Sequence, residues 1–319
     1  MKDINIPLKL INLLVDGKYH LTKQFSDTLG IKCSSISNHI KTIRNWGVDV
    51  FSIPGKGYHL KAPLQLLDET IIHTRLPTGR LTVLPLIDST NQYLIERIGT
   101  IQSGDACVAE YQMQGRGRRG RQWIAPFGNN LCLSLYWRLN QGLSAVDGLS
   151  LMVCIVMAEV LHRLGAEEVK VKWPNDLYLN DRKLTGILVE ISAKPDDVAH
   201  VVIGAGINLA MHESAAGIIN QNWINLQESG IDIDRNVLAA KLIDALRQAL
   251  DQFEHEGFLP FIARWYHLDN FLNRPVRLFI GNKSISGIAR GINAQGALLL
   301  EQDGKRYTYF GGEISLRNI

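Results

Sequence analysis

Gly115 to Arg121 read GRGRRGR. The string satisfies G-x-G-x-x-G through Gly115, Gly117 and Gly120, and a dinucleotide-binding fold would follow if those glycines opened a helix. They do not, because the next residues are QWIAPFGNN, with Pro126 and Gly128. Arginines alternating with glycines make instead an anion-wrapping loop. Glycine lets a ligand approach the backbone and permits φ > 0, and each guanidinium offers a planar fork to phosphate or carboxylate. A solvated basic loop or a generic RNA patch is the competing reading, since a charge cluster alone usually marks only a surface. The rest of the chain has to decide.

A length of 319 residues allows two or three domains and a sizeable core. Apolar residues make up 46% and charged residues 20%, the balance of a soluble globular chain. A formal net charge of only +3 means that any nucleic-acid contact must come from a local patch. Cys33, Cys107, Cys132 and Cys154 form no C-x-x-C pair and the histidines do not cluster with them, so neither a zinc site nor a disulfide framework is signalled. MKDINIPLK has no apolar signal core, and the run LMVCIVMAEVL from Leu151 is too short to span a bilayer and carries Glu159. A cytoplasmic protein without a membrane partner is expected.

Before the loop, LKLINLLV (8–15) follows Pro7 with helical spacing, Thr22 is placed to cap a second helix ending at Gly30, and Ile36, Ile40 and Ile43 stripe a third. VDVFSIPGKGYHL then gives two short strands about the turn Pro54–Gly57. Three helices and a hairpin predict a winged helix-turn-helix over 1–62. Thr22, Ser34, Ser35, Ser37, Asn38 and Lys41 are candidates to face DNA, with Arg44 adding charge and Lys56 on the wing meeting phosphate. A protein-docking module is the alternative.

Pro63 and QLLDET mark a boundary near 61–68. Beyond it, strand-like runs (81–87, 105–112, 130–139, 169–173, 183–191, 199–209) interleave with helices near 90–98, 144–164 and 235–255, predicting an α+β domain over 63–270 with one large mixed sheet and a hairpin across Asn180 and Asp181. Residues 271–319 hold five short strand candidates, the pattern of a small β-barrel.

No P-loop, G-x-S-x-G elbow or H-E-x-x-H string occurs. The remaining chemistry lies in DSTN (88–91), KWPND (172–176) and Lys183. Each has an ordinary reading, as a helix cap, a turn and a solvated lysine. Together with GRGRRGR, RKLTGILVE and GAGIN (204–208) they resemble the signature strings of biotin protein ligases. With the winged helix added, the whole chain is similar to the bifunctional ligase–repressors of that family.

The resemblance implies a class II synthetase-like catalytic domain and an SH3-like C-terminal barrel. It implies that biotin and ATP form biotinyl-5'-AMP, and that biotin then passes to a lysine of the biotin carboxyl carrier protein. Ser89, Thr90, Asn91, Gln112, Gly115, Arg116, Gly117, Arg118 and Lys183 are implied for biotin, with Lys183 and Arg118 catalytic. Arg118, Arg119, Arg121, Lys172, Asn175, Asn208 and Trp223 are implied for the nucleotide, and Asp176 for Mg²⁺. The implied regulatory partners are operator DNA of the biotin operon and a second copy of the chain, paired when the adenylate is bound. HESAAGIINQNW (212–223) departs from the family pattern. A ligand-sensing regulator without catalysis and a lipoyl ligase are the competing functions.

Overall fold

The structure, a computed structural model, describes residues 4–142, 146–192, 198–211, 219, 221–281, 283–310 and 314–318. The N-terminal unit contains α1 (Asn5–Leu14), α2 (Thr22–Leu29) and α3 (Cys33–Asn45), followed by β1 (Val50–Ile53) and β2 (Gly57–Leu60). Leu10, Ile11, Leu14, Phe25, Ile36, Ile40 and Ile43 are all buried and close the helices on one another. Each such side chain stabilises the unit by about 1.5–3 kcal/mol relative to exposure. β1 and β2 pair antiparallel, and His20 bridges to Tyr58 beside them, which completes the winged-helix arrangement. Gly57 sits at φ +93, where a Cβ would run into the His20 carbonyl.

Two helix starts differ from expectation. α1 begins at Asn5, so Pro7 lies in its first turn, where the missing N–H is not needed. Thr22 is the first residue of α2 rather than its cap, and the Leu21 N–H is taken by Gln24 Oε1 at 2.7 Å.

An extended stretch leads from the head to α4 (Glu69–His73), a short helix not foreseen, capped by Asp68, which accepts from Ile71 N at 2.9 Å. The stretch is tied down by a buried ion pair: Glu110 lies 2.8 Å from Arg235 and accepts the Leu67 N–H, while Arg235 donates to the Gln65 carbonyl at 2.5 Å. Trp46 stacks on Phe127 with ring centroids 5.9 Å apart, and Phe127 N donates to the Trp46 carbonyl at 2.8 Å. The head is therefore docked on the segment that follows the arginine loop.

The central sheet contains β3 (Leu81–Ile87), β4 (Ala106–Gln112), β5 (Asn130–Leu139), β6 (Lys170–Lys172), β7 (Asp176–Leu179), β8 (Arg182–Ser192) and β9 (Ala199–Asn208), in the order β3-β4-β5-β9-β8-β7-β6. Only β3 and β4 run parallel, joined through α5 (Thr90–Ile95), which ends earlier than the expected 98. α6 (Leu149–Arg163) and α7 (Arg235–Glu256) share the main core with the sheet, and α5 packs on β4, β5 and β9. The start of the helix expected from 144 falls on residues outside those described. The β7–β8 turn has Asn180 at φ +52 and Asp181 at φ +57, the two left-handed positions of a tight hairpin that Asn and Asp tolerate.

α8 (Ile262–Leu268) leads to β10 (Pro275–Ile280), β11 (Lys283–Ile292), β12 (Leu298–Gln302), β13 (Lys305–Tyr309) and β14 (Ile314–Asn318), an antiparallel sheet ordered β13-β12-β11-β10-β14. Trp173 reaches into this unit, donating from Nε1 to the Gly296 carbonyl at 3.0 Å. Among the described residues, no helix is long and apolar enough to cross a membrane.

Candidate active site

The α5 face of the sheet carries a cavity of about 580 Å³, and its floor is made by missing side chains. Gly204 and Gly206 on β9 and Gly186 on β8 leave room that a Cβ would fill. At Gly204 it would strike the Asn91 amide, at Gly206 the Trp123 indole, and at Gly186 it would lie 2.9 Å from the same indole. Glycine inside a strand commonly marks such a close approach.

One wall is the start of α5. Ser89 is its N-cap, 3.4 Å from Gln92 N. Gln112, at the end of β4, accepts from Thr90 N at 2.8 Å and from the Thr90 hydroxyl at 3.0 Å. Its amide N–H groups are thereby turned away from Thr90. Ser134 lies 2.7 Å from Thr90 Oγ1 and donates to Asn91 Oδ1 at 2.5 Å, while Asn91 Nδ2 donates to Glu190 Oε2 at 2.8 Å. The wall is thus a polar chain rather than a set of independent groups.

The arginine loop forms the lid. Gly117 N donates to the Arg121 carbonyl at 2.7 Å and Trp123 N to the Gly115 carbonyl at 2.8 Å, so the segment folds back on itself, with Arg119 at φ +59 at its tip. Gly115 is buried and contributes this backbone closure instead of a cavity wall; a Cβ there would meet the Trp123 carbonyl. Arg116 pairs with Glu190 at 2.8 Å and Arg118 donates to Asn175 Oδ1 at 2.7 Å. Burial draws the Arg118 pKa below the ordinary arginine range, with nearby Asp176 opposing the shift. The group stays cationic, since arginine does not lose its proton in proteins. Arg119 and Arg121 are exposed at the cavity rim.

The opposite wall holds Lys183 Nζ, 2.8 Å from Asp176 Oδ1, and Lys172 Nζ, 2.9 Å from the Tyr178 hydroxyl. Trp223 is fixed beside Lys183: Lys183 N donates to the Asn222 carbonyl at 3.1 Å and Ile224 N to the Lys183 carbonyl at 3.0 Å. Asn208 lines the cavity, but its Nδ2 donates to the Ile224 carbonyl at 3.2 Å, so it also anchors that segment. Residues 212–218 and 220, most of the divergent stretch, lie outside the described residues.

Every residue expected at the small-molecule site except Gly115 lines this one cavity. Reading the sequence missed Trp123, Ser134, Glu190 and the glycine floor; the alternating glycines of GAGIN carried the one available signal. Asp176 does not stand in a metal cage, since its carboxylate faces Lys183 and no cluster of three metal-ligating side chains exists among the described residues. That donor set fits only a Mg²⁺ ion arriving with most of its ligands already supplied by phosphate.

A model of the biotin/lipoate A/B protein ligase family matches residues 83–208, and a model of the biotin protein ligase C-terminal domain matches 271–317. The bifunctional ligase/repressor BirA of Salmonella typhimurium is 62% identical over 100% of this chain and 99% of its own length. The chain belongs to the biotin/lipoate protein ligase family. Another member, the bifunctional ligase/repressor BirA of Escherichia coli, is 60% identical over the same shares of both chains. Among solved members, the biotin protein ligase from Aquifex aeolicus in complex with biotin and ATP is similar with a TM-score of 0.66 and 28% identity, covering 75% of this chain and 99% of that one.

The second candidate set of this ligase-family chain lies on the head. Ser34, Ser37, Asn38 and Lys41 are exposed on α3. Ser35 is half-buried and donates its hydroxyl to the Lys32 carbonyl at 2.7 Å, and Thr22 is half-buried at the start of α2. Lys56 projects at the wing turn, 5.6 Å from the centre of the Tyr19 ring. Arg44, expected to add charge on α3, is exposed and donates from Nε and Nη2 to the Val50 carbonyl at 2.9 and 2.7 Å.

Proposed function

We propose that this chain is an ATP-dependent biotin protein ligase, and that with its own acyl adenylate as corepressor it represses a biotin operon. The observation that carries the reading is the grouping of Lys183 and Arg118 in the same cavity as the Thr90–Gln112 wall and the glycine floor. An apolar slot with a polar end suits an uncharged ring system, and clustered cations suit a carboxylate brought against a triphosphate.

In the first step a biotin carboxylate oxygen attacks the α-phosphorus of ATP, forming biotinyl-5'-AMP and releasing pyrophosphate. Both reactants are anions, so the site must cancel their repulsion and stabilise charge growing on phosphate oxygens. Lys183 is assigned to the biotin carboxylate and the α-phosphate. Arg118 shares that charge, and Arg119, Arg121, Lys172 and Asn175 attend the rest of the nucleotide. Asn208 and Trp223 border the adenine end. Ser89, Thr90, Asn91 and Gln112 make the end that takes the ureido ring, with Gly115, Arg116 and Gly117 closing over it. Asp176 is the residue that would help hold a Mg²⁺ ion, which would supply further neutralisation of the triphosphate charge.

In the second step the amine of a carrier-protein lysine attacks the acyl carbon, an amide forms and AMP leaves. The loop must open for substrates and close to keep water from the adenylate. Ser34, Ser35, Ser37, Asn38, Lys41, Thr22 and Lys56 are the DNA-facing residues of the head, and adenylate-dependent pairing of two chains places two heads on a palindromic operator. ATP as substrate and the free cysteines suit a cytoplasmic location. Incubation with biotin, Mg-ATP and a carrier domain is expected to add one biotin to the carrier, read by mass. An unmodified carrier, or transfer of lipoate in place of biotin, overturns the reading.

A further inference from the structure

Glu190 is a carboxylate just outside the cavity lining, hydrogen-bonded to two residues that do line it, Arg116 and Asn91. Its contacts account for its presence. A single oxygen, Oε2, takes two donors: Arg116 Nη2 at 2.8 Å from the lid and Asn91 Nδ2 at 2.8 Å from the wall. Asn91 is 4% exposed, and its amide orientation is fixed from both ends, by Ser134 donating to Oδ1 and by Glu190 and the Leu188 carbonyl accepting from Nδ2. Ser134 in turn touches Thr90, which donates to Gln112.

We propose that Glu190 is a positioning residue on which the arginine loop closes, coupling Arg116 to the Asn91–Ser134–Thr90–Gln112 wall. A ligand group placed against Thr90 and Gln112 therefore meets a chain of side chains whose far end is a loop arginine. Arg116 reaches Glu190 on β8, whereas Arg118 donates to Asn175, between β6 and β7. Without Glu190, Arg116 keeps its charge but loses its β8 acceptor, while the Arg118–Asn175 bond and the Trp123 ring beside Gly186 and Gly206 remain.

The proposal rests on the ligase reading for its catalytic consequence and on geometry alone for its structural one, so the test has two arms. In the ligand-free arm, limited trypsin digestion followed by mass reads cleavage after Arg118, Arg119 and Arg121. Glu190→Gln retains an acceptor for Asn91 and loses the charge facing Arg116, so cleavage should speed up. The Arg116 and Glu190 side chains are 40% and 28% exposed, and solvent screening limits such a pair to an effect of roughly two- to fivefold.

In the second arm, release of preformed biotinyl-5'-AMP is timed for the wild type, Glu190→Gln, Arg116→Gln and the double variant. Release should quicken by a similar factor in Glu190→Gln, and the Arg116→Gln background should show no further effect of the Glu190 change. Rescue by Glu190→Asp, which restores the charge, is expected to be partial. Thermal melts of all five proteins monitor folding, and Arg116→Gln, which removes the same ion pair from the loop side, carries the trypsin comparison if Glu190→Gln does not fold. Equal trypsin rates in the wild type and Glu190→Gln overturn the proposal. So does a Glu190→Gln effect that persists at full size in the Arg116→Gln background, because Glu190 would then act through Asn91 alone. A wild type that forms no adenylate defeats the ligase reading and leaves the trypsin arm to decide this one.

Discussion

Lys183 and Gly206 face the same cavity and fail in different ways when changed. The Lys183 ammonium is held 2.8 Å from Asp176, so its position is set before any substrate arrives. Lys183→Ala removes a cation from the point where phosphate charge grows, and pyrophosphate release should fall by on the order of 10²–10³. The surrounding core is untouched and the melting temperature should change little. Gly206→Ala adds one carbon against the Trp123 ring. The indole has to move or the strand has to shift, at a cost of about 1–3 kcal/mol. The expected signature is a lowered melting temperature with a raised KM for biotin, whereas a variant with unchanged KM and melt would show that the floor has slack. Thiol reactivity follows burial in the same way. Burial pushes Cys107 and Cys132 up to about 12 and Cys154 well above the ordinary thiol range, whereas Cys33 is exposed. The thiolate is the reactive form, so iodoacetamide at pH 8 should modify Cys33 alone in the native protein and all four thiols after denaturation, as read by mass.

At the scale of elements, the parts of the chain with strong local codes were legible. The isoleucine stripe of α3 and the Asn180–Asp181 turn state their structure in a few residues, because periodic burial and positive φ each need particular side chains. What was not legible is what distant segments decide. α4 is five residues long, too short to be stable by its own propensity, and exists where the Glu110–Arg235 pair and α7 hold the stretch before it. The bond from Arg44 to the Val50 carbonyl is likewise set by a strand outside its own helix. The candidate site divides similarly: the charged loop and KWPND announced themselves, while Glu190 sits in a strand whose sequence gives no hint that Asn91 and Arg116 converge there. Trp46 belongs with the illegible features, since its partner Phe127 lies far along the chain. Trp46→Ala should cost about 3–5 kcal/mol of stability in urea unfolding, since it opens the base of the head and uncovers Phe127 together. Loss of only a few tenths would mean that the head is fastened mainly by the Glu110–Arg235 tie.

Across the whole molecule, these contacts join the loop to the head in one continuous segment. The lid runs from Gly115 to Trp123, and the residues just beyond it, Pro126 and Phe127, are the surface against which Gly47 and Trp46 rest. If ligand orders the lid as proposed, it would act through Pro126 and Phe127 on the face where the head rests, in addition to any effect on pairing of two chains. If ligand favours the DNA-binding state, DNA must favour the ligand-bound state by the same factor, typically 5- to 150-fold for coupled sites. Binding to a DNA fragment from upstream of biotin-synthesis genes should therefore tighten by roughly that range when biotin and ATP are both present. The paired species should be visible by sedimentation under the same conditions. Lys183→Ala supplies the control, because its head, lid stem and loop arginines are all intact. Given biotin and ATP it forms little adenylate and should show little tightening, and added preformed biotinyl-5'-AMP should restore most of it. Restoration assigns the signal to the intermediate and not to either substrate. Raising salt should weaken both complexes in proportion to the phosphates contacted, with a steeper slope for the ligand-bound form if two heads then share one site. Equal affinity with and without ligand, at every salt concentration, would mean that the head reads DNA independently of the cavity behind it.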